Sequence, residues 1–154
     1  MESARRAETV DLPRMLELYD DLASELDGYR GRWAELEAWA DPAAYLEARI
    51  GDPSSFVALG AIDDYPVGFA AVDIAHPHDC PTRPGIGLVR ALFVEPPARE
   101  VGVGEALLDA IVQWLAENDV RSADITVSPG HRAAKNFCED HGFVARTLTM
   151  HSNW

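Results

Sequence analysis

The stretch "PPAREVGVGEALL", residues 96–108, places Arg99, Gly102 and Gly104 directly before an apolar helical run. Glycine at both 102 and 104 removes two Cβ atoms where a strand gives way to a helix. The first N–H groups of a helix have no partner inside it, and the aligned peptide dipoles add partial positive charge. Bare backbone at such a point is an anion site, and Arg99 can reinforce it. Three phosphate-bearing ligands compete for it. A dinucleotide fingerprint needs a third glycine where this chain has Leu107. A P-loop needs Gly-Lys-Ser/Thr where "GEA" stands. The pyrophosphate of coenzyme A is the third candidate, and a tight turn without a ligand is the alternative to all three.

Periodicity gives the elements that must hold this loop. Residues 3–8 fit a short first strand, and from Asp11 the positions Leu12, Met15, Leu16, Tyr19, Leu22 and Leu26 form one helix face. Trp33, Leu36 and Trp39 suggest a short second helix. "DPAAYLEARIG" carries its own punctuation, with Asp41 as N-cap, Pro42 at the first helical position and Gly51 past the end. "SSFVALGAI", the turn "DDYP" and "VGFAAVDI" read as a hairpin, and "IGLVRALFVEP" as a long strand ended by Pro96. Residues 103–118 form a helix, "ADITVS" a strand, residues 130–141 a helix closed by Gly142, and "FVARTLTMHS" a last strand. Early helices, a meander and then β-α-β-α-β make an α+β fold, or α/β with a mixed sheet, in one domain over residues 1–154.

Composition narrows the partners. With 47% hydrophobic and 25% charged residues the chain is an ordinary globular one. A net charge of −13 argues against nucleic acid, since a phosphate backbone rewards a basic face, and it suits a cationic small substrate. No window approaches membrane-spanning length, and "MESARRAETVDLP" has no signal-type apolar stretch, so a cytoplasmic protein is expected. Cys80 and Cys138 are too few for a disulfide framework. His76, His78, Asp79 and Cys80 have ligand-type side chains but no second-site partners, so no metal is expected. Trp33 and Trp39 fit a core or the contact of a homodimer better than a base-stacking platform.

"LFVEPPAREVGVGEALL" resembles the signature of the GNAT acetyltransferases, an Arg/Gln-x-x-Gly-x-Gly/Ala loop after a strand ending in a Val-x-Pro-like turn. Leu92, Val94, Pro96, Arg99, Gly102 and Gly104 stand on it. "RAAKNFCEDHGF" is similar to the family's second block through Ala134, Phe137, Glu139, Gly142 and Phe143, and "DDYPVGFAAV" to its second and third strands. Two blocks about thirty residues apart, each on its proper element, are far more specific than one Gly-x-Gly.

The resemblance implies a central, mostly antiparallel sheet that splays beside Leu92, Phe93 and Val94, with the pantetheine arm of acetyl-CoA in the gap. The backbone N–H of Val94 would bond the thioester carbonyl as an oxyanion donor. The pyrophosphate would lie on Arg99, Glu100, Val101, Gly102, Val103, Gly104 and Glu105, with the Glu105 carboxylate turned to solvent so as not to repel it. His131 stands where the family has an asparagine against the pantetheine region, followed by Ala134 and Phe137. The reaction implied is direct attack of a primary amine on the thioester in a ternary complex. The family's glutamate base falls on Leu88, so no side-chain base is assigned, and Glu25, Asp27, Tyr29 and Asp73 are substitutes at the acceptor site. Cys138 replaces a tyrosine acid and has too short a reach to do its work. The missing base leaves a second expectation, a silent acyl-CoA-binding module.

Overall fold

The computed structural model of the protein describes residues 1–30, 36, 39–76 and 84–154. Its elements in chain order are β1 (Glu2–Arg6), α1 (Leu12–Leu26), α2 (Pro42–Arg49), β2 (Ser55–Ile62), β3 (Tyr65–Ala75), β4 (Ile86–Val94), α3 (Val103–Glu117), β5 (Ala123–Ile125) and α4 (Arg132–Asp140). The strands lie in the sheet in sequence order, with three antiparallel pairings and one parallel pairing between β4 and β5. This is the mixed α+β sheet expected from the order of elements. The helix expected around Trp33 falls mostly outside the described residues, as do His78, Asp79 and Cys80; Leu36 and Trp39 are described and buried.

Each face of the sheet carries its own apolar layer. One layer holds Met15, Leu18 and Leu22 of α1 with Tyr45 and Leu46 of α2 against Leu59, Phe69, Ala71 and Phe93. The other packs Val103, Leu107, Ile111 and Leu115 of α3 onto Ala58, Ala70, Val72 and Val89. Helix α3 comes down close because the strands beneath it are bare. A Cβ on Gly60 would stand 2.6 Å from Val103, and one on Gly87 would stand 2.6 Å from Leu115. That contact fixes where the first turn of α3 points, and so where its free amides are.

Local punctuation behaves as the sequence indicates at α2. The Asp41 carboxylate accepts from Ala44 N–H at 3.1 Å, Pro42 opens the helix, and Gly51 follows it with φ +94°. The hairpin turn is made by Asp63 and Asp64, both with positive φ, as a tight two-residue turn requires.

Two expectations are corrected at the far edge. The strand expected over 123–128 pairs only through Ala123–Ile125. The last strand expected over 143–152 does not form: that segment has no strand pairing, and Val144, Leu148 and Met150 are exposed. Its alternating pattern suits a strand, but a strand exists only where another edge completes its hydrogen bonds, and none of the described strands takes it.

Candidate active site

The sheet opens between β4 and β5. Gly87, Leu88 and Val89 pair with Ala123, Asp124 and Ile125, and from Arg90 to Val94 no described strand pairs with the β5 side of β4. A register shift marks the point of divergence, because Ala71 faces Ala91 while Val72 faces Val89, which leaves Arg90 as a bulge. Beyond it the ladder alternates. Glu95 N–H donates to Val67 O at 2.8 Å, so Phe93 and Glu95 face β3 while the N–H groups of Leu92 and Val94 face the gap. Arg99 confirms that direction by donating from Nε to Val94 O at 2.8 Å. The N–H assigned to the thioester carbonyl therefore points into open space beside the splay.

Beyond β4 a single 3-10 turn, Pro96–Ala98, leads to the glycine loop. Glu100 and Gly102 both have positive φ, +65° and +99°, and curl the chain so that Gly102 becomes the N-cap of α3. Among the described residues no side chain caps this helix, and Ala106 N–H is the first to close on a carbonyl, that of Gly102, at 3.0 Å. The N–H groups of Val103, Gly104 and Glu105 are left as donors at the positive end of the dipole. Glu105 is exposed, as the resemblance requires. Gap and loop together fit an elongated ligand with a carbonyl at one end and phosphate at the other.

The other groups sort by position. Arg99 reaches back rather than over the loop: besides Val94 O, its guanidinium meets Glu25 at 2.8 Å. Tyr29 stacks on His131, ring centroids 4.5 Å apart, so the segment just after α1 reaches the start of α4. Phe137 lies against the start of α3, where a Cβ on Gly104 would approach its ring to 3.2 Å. Asp27 is the C-cap of α1 and is exposed.

Asp73 stands apart from these, opposite Leu88 where the sheet is still closed. It accepts from Arg49 at 3.0 and 3.2 Å, from Arg90 at 3.1 Å and from Ser55 at 2.8 Å. Burial pushes its carboxyl up, but the bonds from Arg49, Ser55 and Arg90 outweigh this and hold it below the usual range. A carboxylate so fully engaged is a poor base for an ammonium.

A cleft of about 360 Å³ lies between α1 and the end of β4, lined by Asp21, Ser24, Glu25, Phe93, Glu95, Pro96 and Pro97. Arg14 frames it by binding Pro66 O at 3.1 and 2.8 Å and Glu95 at 2.8 Å. Sequence reasoning found Glu25 but missed Asp21 and Glu95. The i,i+4 spacing of Asp21 and Glu25 on one helix face was the available signal.

Cys138 is buried, and burial pushes its thiol up. A weaker acid in an apolar setting is a poor proton source. Cys138→Ala is expected to keep turnover within a few-fold of the parent in a steady-state assay. A loss of about a hundredfold with unchanged acetyl-CoA affinity would make the thiol catalytic.

Known proteins share both the sequence and the shape. The model of the acetyltransferase (GNAT) family matches residues 13–143. An aminoglycoside N(6')-acetyltransferase type 1 of Stenotrophomonas maltophilia is 31% identical over 115 residues, covering 66% of this chain and 75% of that one. The solved structure of AAC(6')-Iy with a CoA-linked bisubstrate analogue superposes with a TM-score of 0.73 at 18% identity, covering 100% of this chain and 99% of that one. A predicted acetyltransferase from Clostridium acetobutylicum, solved with acetyl-CoA, gives 0.72 at 14% identity over 99% and 96%. The two solved structures attest the fold, and the family match runs from α1 through α4, across the open strand and the uncapped loop. The chain belongs to the GNAT family of acetyltransferases and is an N-acetyltransferase that draws its acetyl group from acetyl-CoA.

Proposed function

We propose that the acceptor is a small polycationic amine of the aminoglycoside class, held in the cleft walled by Asp21, Glu25 and Glu95. The observation that carries this is three carboxylates around one opening beside Phe93, Glu25 sharing its charge with Arg99 and Glu95 with Arg14, next to the strand whose Val94 N–H faces the gap. The −13 charge adds a long-range field that concentrates cations. The relative from Stenotrophomonas maltophilia, named for acetylating aminoglycosides, supports the same class. The protein would act as one cytoplasmic domain.

The chemistry follows from these positions. The free amides of Val103, Gly104 and Glu105 receive the pyrophosphate, and the open edge of β4 aligns the pantetheine. An ammonium bound among the carboxylates loses a proton to water or to a carboxylate. An amine of this type has a reference pKa of about 10.4, so that step must precede attack. The nitrogen then adds to the thioester carbonyl, whose developing negative charge is met by Val94 N–H. The C–S bond breaks, the proton shed by the nitrogen balances the one the thiolate takes up, and the N-acetylated acceptor and free CoA leave.

The test is thiol release across aminoglycosides, polyamines, lysine peptides and neutral primary amines. Aminoglycosides are expected to give the highest kcat/KM, falling as salt shortens the screening length from about 10 Å at 0.1 M to about 3 Å at 1 M. Asp21→Asn is expected to raise the acceptor KM several-fold and leave the acetyl-CoA KM alone. Equal rates for neutral and polycationic acceptors, or rates flat with salt, would overturn the reading.

A further inference from the structure

We propose that Arg99 is a positioning residue that ties the gap-facing end of β4 to the wall of the acceptor cleft, rather than a ligand of the pyrophosphate. Beyond Arg90 no described strand pairs with the β5 side of β4, so a carbonyl on that side needs a partner from elsewhere. Arg99 supplies it at Val94, with Nε 2.8 Å from the carbonyl oxygen. On the other side Glu95 N–H meets Val67 O at 2.8 Å. The peptide joining Val94 and Glu95 is therefore held from both directions. The turn Pro96–Ala98 makes this possible, because it brings Arg99 round to face the strand it follows.

At its other end the side chain meets Glu25, on the last turn of α1, at 2.8 Å. Its guanidinium carbon lies 5.6 Å from the centre of the buried Phe93 ring, within cation–π range. Glu25 and Phe93 both line the acceptor cleft. One planar fork thus joins two cleft residues to the carbonyl of Val94, whose N–H is assigned to the thioester. The side chains of the ion pair are only 33% and 24% exposed, sheltered enough to keep one geometry better than a surface pair does. Lysine cannot replace such a fork, since a single point charge serves Glu25 or Val94 O but does not hold both in one plane. A phosphate, by contrast, accepts lysine as a point charge.

The inference rests on Val94 N–H as the oxyanion donor, which a Val94→Pro variant tests separately. Arg99→Lys is expected to lower kcat about tenfold, the scale of a donor displaced rather than deleted, with the acetyl-CoA dissociation constant unchanged by calorimetry. Arg99→Gln should lose as much turnover, with an acceptor KM no higher than the parent's, because Glu25 then keeps its charge for the ammonium. Glu25→Gln cuts the same tether from the α1 side and decides even if the Arg99 variants misfold. It should slow turnover several-fold at saturating acceptor, and adding it to Arg99→Gln should cost nothing more, as two changes to one link do not add. A parental kcat in Arg99→Lys or Glu25→Gln, losses that add in the double variant, or acetyl-CoA bound about tenfold more weakly by Arg99→Gln would overturn the proposal, the last by making Arg99 a phosphate ligand. A silent Val94→Pro beside slow Arg99 variants would remove the oxyanion assignment and leave the tether in place.

Discussion

Val94→Pro is expected to lower kcat by about 100- to 1,000-fold, the usual effect of deleting one oxyanion donor. Proline removes a backbone N–H and little else at this position. Val94 follows Phe93, which faces β3, so its own N–H is not a rung of the ladder. Proline is tolerated on a strand edge when the missing donor faces away from the partner strand. The residue before it must be extended, which Phe93 already is. The melting temperature should therefore move by only a few degrees, and the acetyl-CoA dissociation constant should change little. Val94→Ala, which keeps the N–H, is the control and should stay near the parent. A proline variant with turnover within tenfold of that control would show that the carbonyl is polarised elsewhere, Leu92 N–H being the next donor facing the gap.

What the sequence disclosed depended on how local each signal was. Helix α1 follows from apolar residues spaced by three and four, and α2 from the Asp41–Pro42–Gly51 punctuation, since both are written within one segment. The glycine loop was legible for the same reason: positive φ at Gly102 and an uncapped helix start are properties of six neighbouring residues. The acceptor cleft was only half legible. Asp21 and Glu95 line one cleft because α1 packs beside the end of β4, and residue spacing carries no record of that packing. Arg99 shows the same limit. Its place in the loop suggested phosphate, while the fold puts Glu25 and Val94 O within its reach. The segment over 143–152 is the clearest instance. Its alternation reads as a strand, but alternation cannot supply the edge that a strand must pair with.

The second large effect concerns the two glycines, which do different work. Gly102 is needed for a left-handed backbone, whereas Gly104 lies in the first turn of α3 with its missing Cβ aimed at Phe137. Gly104→Val is expected to weaken acetyl-CoA binding at least tenfold, about 1.4 kcal/mol. Two causes can produce that loss. A side chain can block the approach of pyrophosphate to the free amides, or it can push α4 away through the Phe137 ring, 3.2 Å from the new Cβ. Trimming the ring separates them. Phe137→Leu relieves the contact, so a Gly104→Val, Phe137→Leu double variant should recover most of the melting temperature lost in Gly104→Val. If bare backbone is what the phosphates require, calorimetry will still show the tenfold loss in the double variant. Affinity restored along with stability would mean that Gly104 serves helix packing, and that the pyrophosphate is held by the other amides of the loop.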